Sequence, residues 1–241
     1  MAEHQEEQGD EWTPPTPQRV HARALVLSAV VARGFLEQDA ANREAEALRL
    51  RIRSWLTFVG AATEAEPQEH ALLQAPLGTL LPQQAGEASW RSEGLAMLAW
   101  ALGLSELPGY DEFVDPKAVA DAVGYLRDEA KASLASATLR PAEEINQCAA
   151  QMFALHWRLR NFGLKPEAMD FQQFARDAWF GPLDVTRLRF IDGDLAIGDL
   201  SISEADEEDF QMCIETTMER HQAANWLAGQ QDLYSEVTTD T

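Results

Sequence analysis

Apolar residues recur at helical spacing along most of the chain, and this pattern predicts a mainly α-helical fold. The first such stretch covers residues 18–38, and the second covers residues 39–60. Residues 61–88 are polar and interrupted by proline and glycine, so we predict a mostly irregular connection there, in which residues 68–74 could form a turn or two of helix. The next helix has Ser89 as its N-cap. Its interior, residues 95–102, is apolar on every side, which is typical of a helix at the centre of a core.

Four further helices and one hairpin complete the predicted elements. The helices are expected at residues 115–130, 141–163, 170–179 and 203–228. At residues 186–198, alternating apolar and polar positions flank the dipeptide Asp192-Gly193, which is typical of a tight β-turn. The sequence therefore predicts a mainly α protein: a single helical domain of six or seven helices with one small β-hairpin.

The composition divides the chain into three segments. Residues 1–17 form a predicted disordered, acidic and proline-rich tail, because five acids and a proline cluster offer too little apolar surface to offset the entropy of ordering. Residues 18–229 form the helical domain, which includes the hairpin at 186–198. Residues 230–241 form a predicted flexible C-terminal tail.

The charge excludes several classes of partner. The chain has 19 Lys and Arg against 40 Asp and Glu, for a net charge of −21. Such a surface repels nucleic acid, and no basic amphipathic stretch is present that could dock to anionic lipid. We therefore expect no nucleic acid and no membrane as partner. The first residues lack the pattern of a signal peptide and only two cysteines are present, so we expect a cytoplasmic location.

The sequence contains none of the common catalytic or nucleotide-binding motifs, so we expect no cofactor. One metal pattern needs a geometric test, because Cys148 and His156 are eight residues apart, as are Cys213 and His221. Eight helical residues span ~12 Å, whereas two ligands of one zinc ion lie within ~4 Å of each other. A single helix could not supply both ligands, and we predict two buried thiols and no metal.

Three clusters place ionisable groups beside apolar residues on helices that are expected to be buried on one face. The candidate catalytic residues in these clusters are Arg91, Glu93, His156, Arg158, Glu219 and His221. In one interpretation they line a pocket where a histidine is a general base and an arginine holds an anionic group. In the other, which we favour, they form internal ion pairs between helices, with Glu93 or Glu219 bound to Arg91, Arg158 or Arg220.

An acidic stretch near the C-terminus allows two interpretations as well. Residues 199–219 contain eight acids and no base. Acids at a helix N-terminus are locally stabilising, which is the simpler explanation. The alternative is a docking surface for a cationic protein, because such a surface steers association. The candidate binding residues are Glu204, Asp206, Glu207, Glu208 and Asp209.

At these same clusters the sequence resembles a bacterial family of domains of unknown function, DUF4272. The resemblance lies in Trp90-Arg91-Ser92-Glu93, in Leu155-His156-Trp157-Arg158, in Asp192-Gly193-Asp194-Leu195, and in Glu219-Arg220-His221 through Asn225-Trp226-Leu227. It implies a mainly helical domain with an attached hairpin in a bacterial, cytoplasmic setting. It implies no activity, cofactor or catalytic residue. Gly94 stands where the resemblance predicts a larger apolar residue, which suggests looser packing there.

The charge and the missing motifs together favour a binding role. We expect a non-enzymatic protein-binding module, of an accessory or toxin-neutralising (immunity) type, whose acidic surface meets a basic protein partner. The alternative is a hydrolase-like enzyme that acts on an anionic small molecule through the His/Arg/Glu pocket. The second function requires the candidate residues to converge on an open cleft.

Overall fold

Nine α-helices and a small antiparallel sheet make up the fold over residues 13–241, which are the residues that the computed structural model describes. The helices are α1 (Pro17–Glu37), α2 (Arg43–Val59), α3 (Pro67–Gln74), α4 (Pro82–Ala101), α5 (Pro116–Ala122), α6 (Ala130–Ala135), α7 (Ala142–Leu164), α8 (Phe171–Asp177) and α9 (Glu207–Leu227). The strands are β1 (Phe190–Ile191), β2 (Asp194–Ile197) and β3 (Leu200–Ser201). The mainly α fold is confirmed, and the predicted number of helices is too low.

Four long helices form the core in the spatial order α1, α4, α9, α7. Helix α4 packs between α1 and α9, and α9 packs between α4 and α7. Residues 92–101 of α4 are all buried, as its apolar interior predicted. No helix in the described part of the chain is both long and apolar enough to cross a lipid bilayer.

The region between α2 and α4 contains the short helix that the sequence allowed at residues 68–74, but α4 begins earlier than predicted. Helix α3 occupies residues 67–74, and α4 begins at Pro82 instead of after Ser89. Proline suits a first helical position because its fixed φ matches the helix and its missing N–H needs no partner there. The side chain of Gln84 accepts a hydrogen bond from the Leu81 amide and so caps the new start. Ser89 lies inside α4, where its hydroxyl donates to the carbonyl of Gly86.

Two other predicted boundaries are wrong. The single helix expected at residues 115–130 is broken after α5, because Gly124 and Leu126 both have positive φ, of 85° and 57°. Helix α6 then begins at Ala130. Helix α9 has Asp206 as its N-cap instead of Ser203, because residues 202–205 form a turn after the third strand.

The hairpin is present at the predicted dipeptide and continues into a third strand, but its first strand begins at Phe190 and not at residue 186. Phe190 pairs with Leu195 between β1 and β2, and Ala196 pairs with Ser201 between β2 and β3. Asp192 and Gly193 have φ of 52° and 84°, the left-handed conformation that a two-residue turn of this kind requires. The dipeptide signal was therefore correct, while β3 was not foreseen.

The C-terminal segment packs against the core, although its sequence predicted a flexible tail. Tyr234 and Val237 are buried. The Asn225 side chain donates to the carbonyl of Thr238, and the Trp226 indole donates to that of Asp232. Most of the predicted N-terminal tail, residues 1–12, lies outside the described residues. Its last residue belongs to α1, which begins at Pro17.

The crossing of α1 and α4 predicts opposite effects for two glycine substitutions. A Cβ on Gly34 would lie 2.7 Å from the Ala85 carbonyl oxygen, whereas a Cβ on Gly86 would meet nothing within 4 Å. We expect Gly34→Ala to lower the free energy of unfolding by about 1–3 kcal/mol through overpacking. We expect Gly86→Ala to raise it by about 0.5–1 kcal/mol through helix propensity. Urea denaturation measures both, and stabilisation by Gly34→Ala would contradict the close crossing.

Candidate functional site

The six candidate catalytic residues lie on α9 itself and on the faces of α4 and α7 that pack against it, but they fall into separate pairs and do not line one cleft. Five of them are buried, and the side chain of Arg91 is 31% exposed. The favoured interpretation of internal pairing therefore describes their geometry.

Glu93 of α4 and Arg220 of α9 form the most enclosed ion pair. The Nε and Nη2 of Arg220 donate to Oε2 of Glu93 at 2.9 and 2.7 Å. The other carboxylate oxygen, Oε1, accepts the amide of Val114 at 3.0 Å. The guanidinium also donates to carbonyls in residues 108–112. The pair thereby joins two helices and a loop, and its hydrogen bonds offset the cost of burying both charges.

Glu219 of α9 pairs with Arg91 of α4 nearer the surface. Nη1 of Arg91 donates to Oε2 of Glu219 at 3.2 Å and to Gln222 at 2.8 Å. Burial raises the pKa of the Glu219 carboxyl; Arg91 opposes this effect, and the negative charges of Glu93 and Glu87 add to it. A Cβ on Gly94 would collide with the Tyr234 hydroxyl, so the predicted looser packing at that glycine is wrong.

Arg158 of α7 binds a carboxylate that the sequence did not single out. Its Nε and Nη2 donate to the two carboxylate oxygens of Asp194 at 2.7 and 2.6 Å, which makes the pair bidentate. Asp194 also accepts the amide of Met169 at 3.0 Å. This carboxylate is at the start of β2 and is buried. Two features of the sequence point to Asp194: it opens an otherwise apolar strand, and it lies in a stretch that carries the family resemblance.

His156 and His221 contact each other inside the interface of α7 and α9. Their Nδ1 atoms lie 3.0 Å apart, so one ring donates and the other accepts, and the two rings hold opposite tautomers. Burial lowers the pKa of His156 to about 4, and Arg160 adds to this. Burial also lowers the pKa of His221 to about 3, with a further contribution from His156. Both rings are neutral near pH 7, and such weak bases are poorly matched to general-base catalysis.

The five candidate binding residues lie together at the start of α9. All are exposed, and we call them the acidic surface: Glu204, Asp206, Glu207, Glu208 and Asp209. The Asp206 side chain accepts the amide of Asp209 as the helix cap. No basic side chain in the described part of the chain forms an ion pair with any of the five.

The two cysteines are buried free thiols, as predicted. Burial raises the pKa of Cys148 to about 11 and that of Cys213 to about 12, so neither is a reactive thiolate near neutral pH. Within residues 13–241, no three histidine, cysteine or acidic side chains are placed so that they could hold a metal ion together.

The fold and these contacts define a mainly helical protein in which buried polar pairs hold α9 against α4 and α7. The chain belongs to the family of domains of unknown function DUF4272, whose sequence profile matches residues 4–172. No curated protein and no solved structure matches the chain. The matched region includes α4 and α7 and ends before the sheet and α9.

The Glu93–Arg220 pair predicts a large effect of a small substitution. Glu93→Gln leaves the buried guanidinium of Arg220 without a countercharge, so we expect the free energy of unfolding to fall by about 3–5 kcal/mol. Glu143→Gln, at an exposed position of α7, makes the same chemical change and should cost less than about 0.5 kcal/mol. Urea denaturation compares the two, and similar small losses would show that the pair is not enclosed.

The histidine pair predicts how stability depends on pH. Below pH ~6.5 the unfolded chain protonates both rings, but the folded protein does so only near pH 4 and pH 3. The free energy of unfolding should therefore fall as the pH drops from about 6.5 to 4, by up to about 1.4 kcal/mol per pH unit for each ring. We expect His221→Asn to remove about half of this contribution, measured by denaturation at several pH values. An unchanged slope would contradict the neutral pair.

Proposed function

We propose that this protein is a non-enzymatic binding protein whose acidic surface meets a basic protein partner. The proposal includes an accessory or toxin-neutralising (immunity) role in a bacterial, cytoplasmic setting. One observation carries it: the acidic surface gathers five exposed carboxylates at the start of one helix, and no base in the described residues pairs with them. Unpaired acids on a protein of net charge −21 favour a cationic partner.

The pairing of the candidate catalytic residues supports a binding role over the hydrolase alternative. An enzyme for an anionic substrate needs a free arginine and a base that reaches the substrate. The guanidinium groups of Arg158 and Arg220 are both bound to buried carboxylates. The two histidines bind each other and have low pKa values. Most groups that a hydrolase would use are therefore already engaged.

A charge reversal on the acidic surface tests the proposal. The tagged protein is used to capture partners from its native host at low salt, and bound proteins are identified by mass spectrometry. We expect to capture basic proteins. They should elute as the salt rises to ~0.5 M, because the screening length there falls to a few Å. The variant Glu207→Lys/Glu208→Lys should lose them.

The matched control is Glu143→Lys/Glu144→Lys. These acids are exposed in the first turn of α7, so the change in charge and the helix position are the same. Glu144 also lies 3.5 Å from Arg140, so the fold of the control is checked by circular dichroism. The control should keep the partner. Capture that survives both the high salt and the reversal at Glu207 and Glu208 would refute the proposed function.

A further inference from the structure

A cavity of about 340 Å³ lies between α4 and α9, and we call it the α4–α9 pocket. Six side chains define its chemistry: Gln83, Glu87, Trp90, Glu215, Met218 and Glu219. Three of these are carboxylates, one is an indole and one is a thioether. No basic side chain lines the pocket in the described part of the chain.

Helical spacing places these residues together. Residues 83, 87 and 90 recur at intervals of four and three on α4, so they share one face of that helix. Residues 215, 218 and 219 share one face of α9 in the same way. Because the two helices pack side by side, the two faces form opposite walls of the pocket. Met218 is 45% exposed and presents an apolar surface between the carboxylates.

Glu219 of this pocket has one carboxylate oxygen that is open to solvent. The residue is 8% exposed, and its Oε2 accepts a hydrogen bond from Arg91. Its Oε1 accepts none from any residue that the structure describes. Burial raises the pKa of this carboxyl, with Glu87 adding to the effect, so a further positive charge nearby would be favourable.

Trp90 supplies an aromatic wall to the same pocket. Its ring packs against Phe113 with the centroids 5.4 Å apart, which holds the indole in place. The face of an indole attracts cations, and arginine stacks on it more readily than lysine does. An acidic pocket with an aromatic wall therefore has the chemistry that recognises a guanidinium group.

We propose that the α4–α9 pocket binds an arginine side chain of the basic partner as the anchor of the complex. The guanidinium would bind the free oxygen of Glu219 together with Glu87 or Glu215, and the methylene stem would pack on Trp90 and Met218. This inference rests on the proposed function and assigns a specific binding site within it.

The volume of the pocket accommodates one arginine side chain, and the same volume accommodates a small ligand. Ligand sites commonly occupy ~300–1,000 Å³, and this pocket is at the small end of that range. A second hollow of about 290 Å³ shares Glu215 and Met218 with the pocket and includes His156 and Arg160. The pocket and the second hollow together are acidic towards α4 and carry a base, Arg160, towards α7. A partner should place its arginine on the α4 side and a neutral or acidic residue opposite Arg160.

A set of three peptides tests the inference. The probes are blocked alanine-based helical peptides with a central leucine and, four residues later, arginine, lysine or citrulline. Citrulline keeps the shape of arginine and removes its charge. Binding to the full chain is measured by calorimetry at low salt. We expect the arginine peptide to bind tightest and the citrulline peptide to bind at least about tenfold more weakly.

Substitutions in the chain locate the binding site. Glu215→Gln and Trp90→Leu should each weaken the arginine peptide by about five- to tenfold, whereas Glu143→Gln should change it less than about twofold. Glu215 is exposed, so its substitution tests the pocket even if Trp90→Leu is poorly folded. The shift of the Trp90 indole resonance on titration gives an independent readout of contact.

Three outcomes would overturn the inference and leave the proposed function intact. Equal binding of the arginine and citrulline peptides would show that the pocket does not recognise the charged guanidinium group. Binding of N-acetyl-arginine amide as tight as that of the peptide would indicate a small-molecule site. If Glu215→Gln and Trp90→Leu leave partner capture intact while Glu207→Lys/Glu208→Lys abolishes it, the pocket is not the anchor and the proposed function stands. Capture that survives the high salt and the reversal at Glu207 and Glu208 as well would refute both the inference and the proposed function.

Discussion

The burial of α9 between α4 and α7 is the constraint on which the rest of the structure depends. This helix carries Glu219, Arg220 and His221 in succession, and all three are buried. Removing a charge from water costs several kcal/mol unless a partner and hydrogen bonds replace the solvent. Helix α9 can therefore pack only where its ionisable groups meet matching groups on both neighbours. Glu93 and Arg91 meet that need on α4, and His156 meets it on α7.

Because the buried charges pair with one another, the net charge of the protein is carried at its surface. The arginines within the core are neutralised where they lie, so the excess negative charge is carried by exposed acids. On α9 the residues that remain exposed follow a narrow strip, with Glu208, Gln211, Glu215 and Met218 at intervals of three and four. The acidic surface and the α4–α9 pocket lie along this strip. The helix that is fixed most firmly by buried pairs is thus also the one that presents the features proposed for binding.

Local sequence signals predicted those elements whose cause is local. Apolar periodicity identified the long helices, and Asp192-Gly193 identified the hairpin because that turn requires two residues with positive φ. The helix starts were less well predicted. Helix α9 has Asp206 as its N-cap, and α4 starts at Pro82. The nearby Ser203 and Ser89 also favour a helix start, so the sequence alone did not fix either boundary. The packing of the C-terminal segment escaped prediction because its few apolar residues gain burial only from a surface that α9 provides.

The sequence by itself determined that the fold is mainly helical, that α4 is central, and that charged groups in three clusters must find partners inside. These conclusions follow from periodicity and from the cost of burying charge, which a single segment already reveals. Only the tertiary structure decided which partners meet: Arg158 takes Asp194, from a strand 36 residues away, and the two histidines take each other. Several pairings satisfied the same charge balance, and the choice among them depends on how the helices cross, which no local pattern encodes.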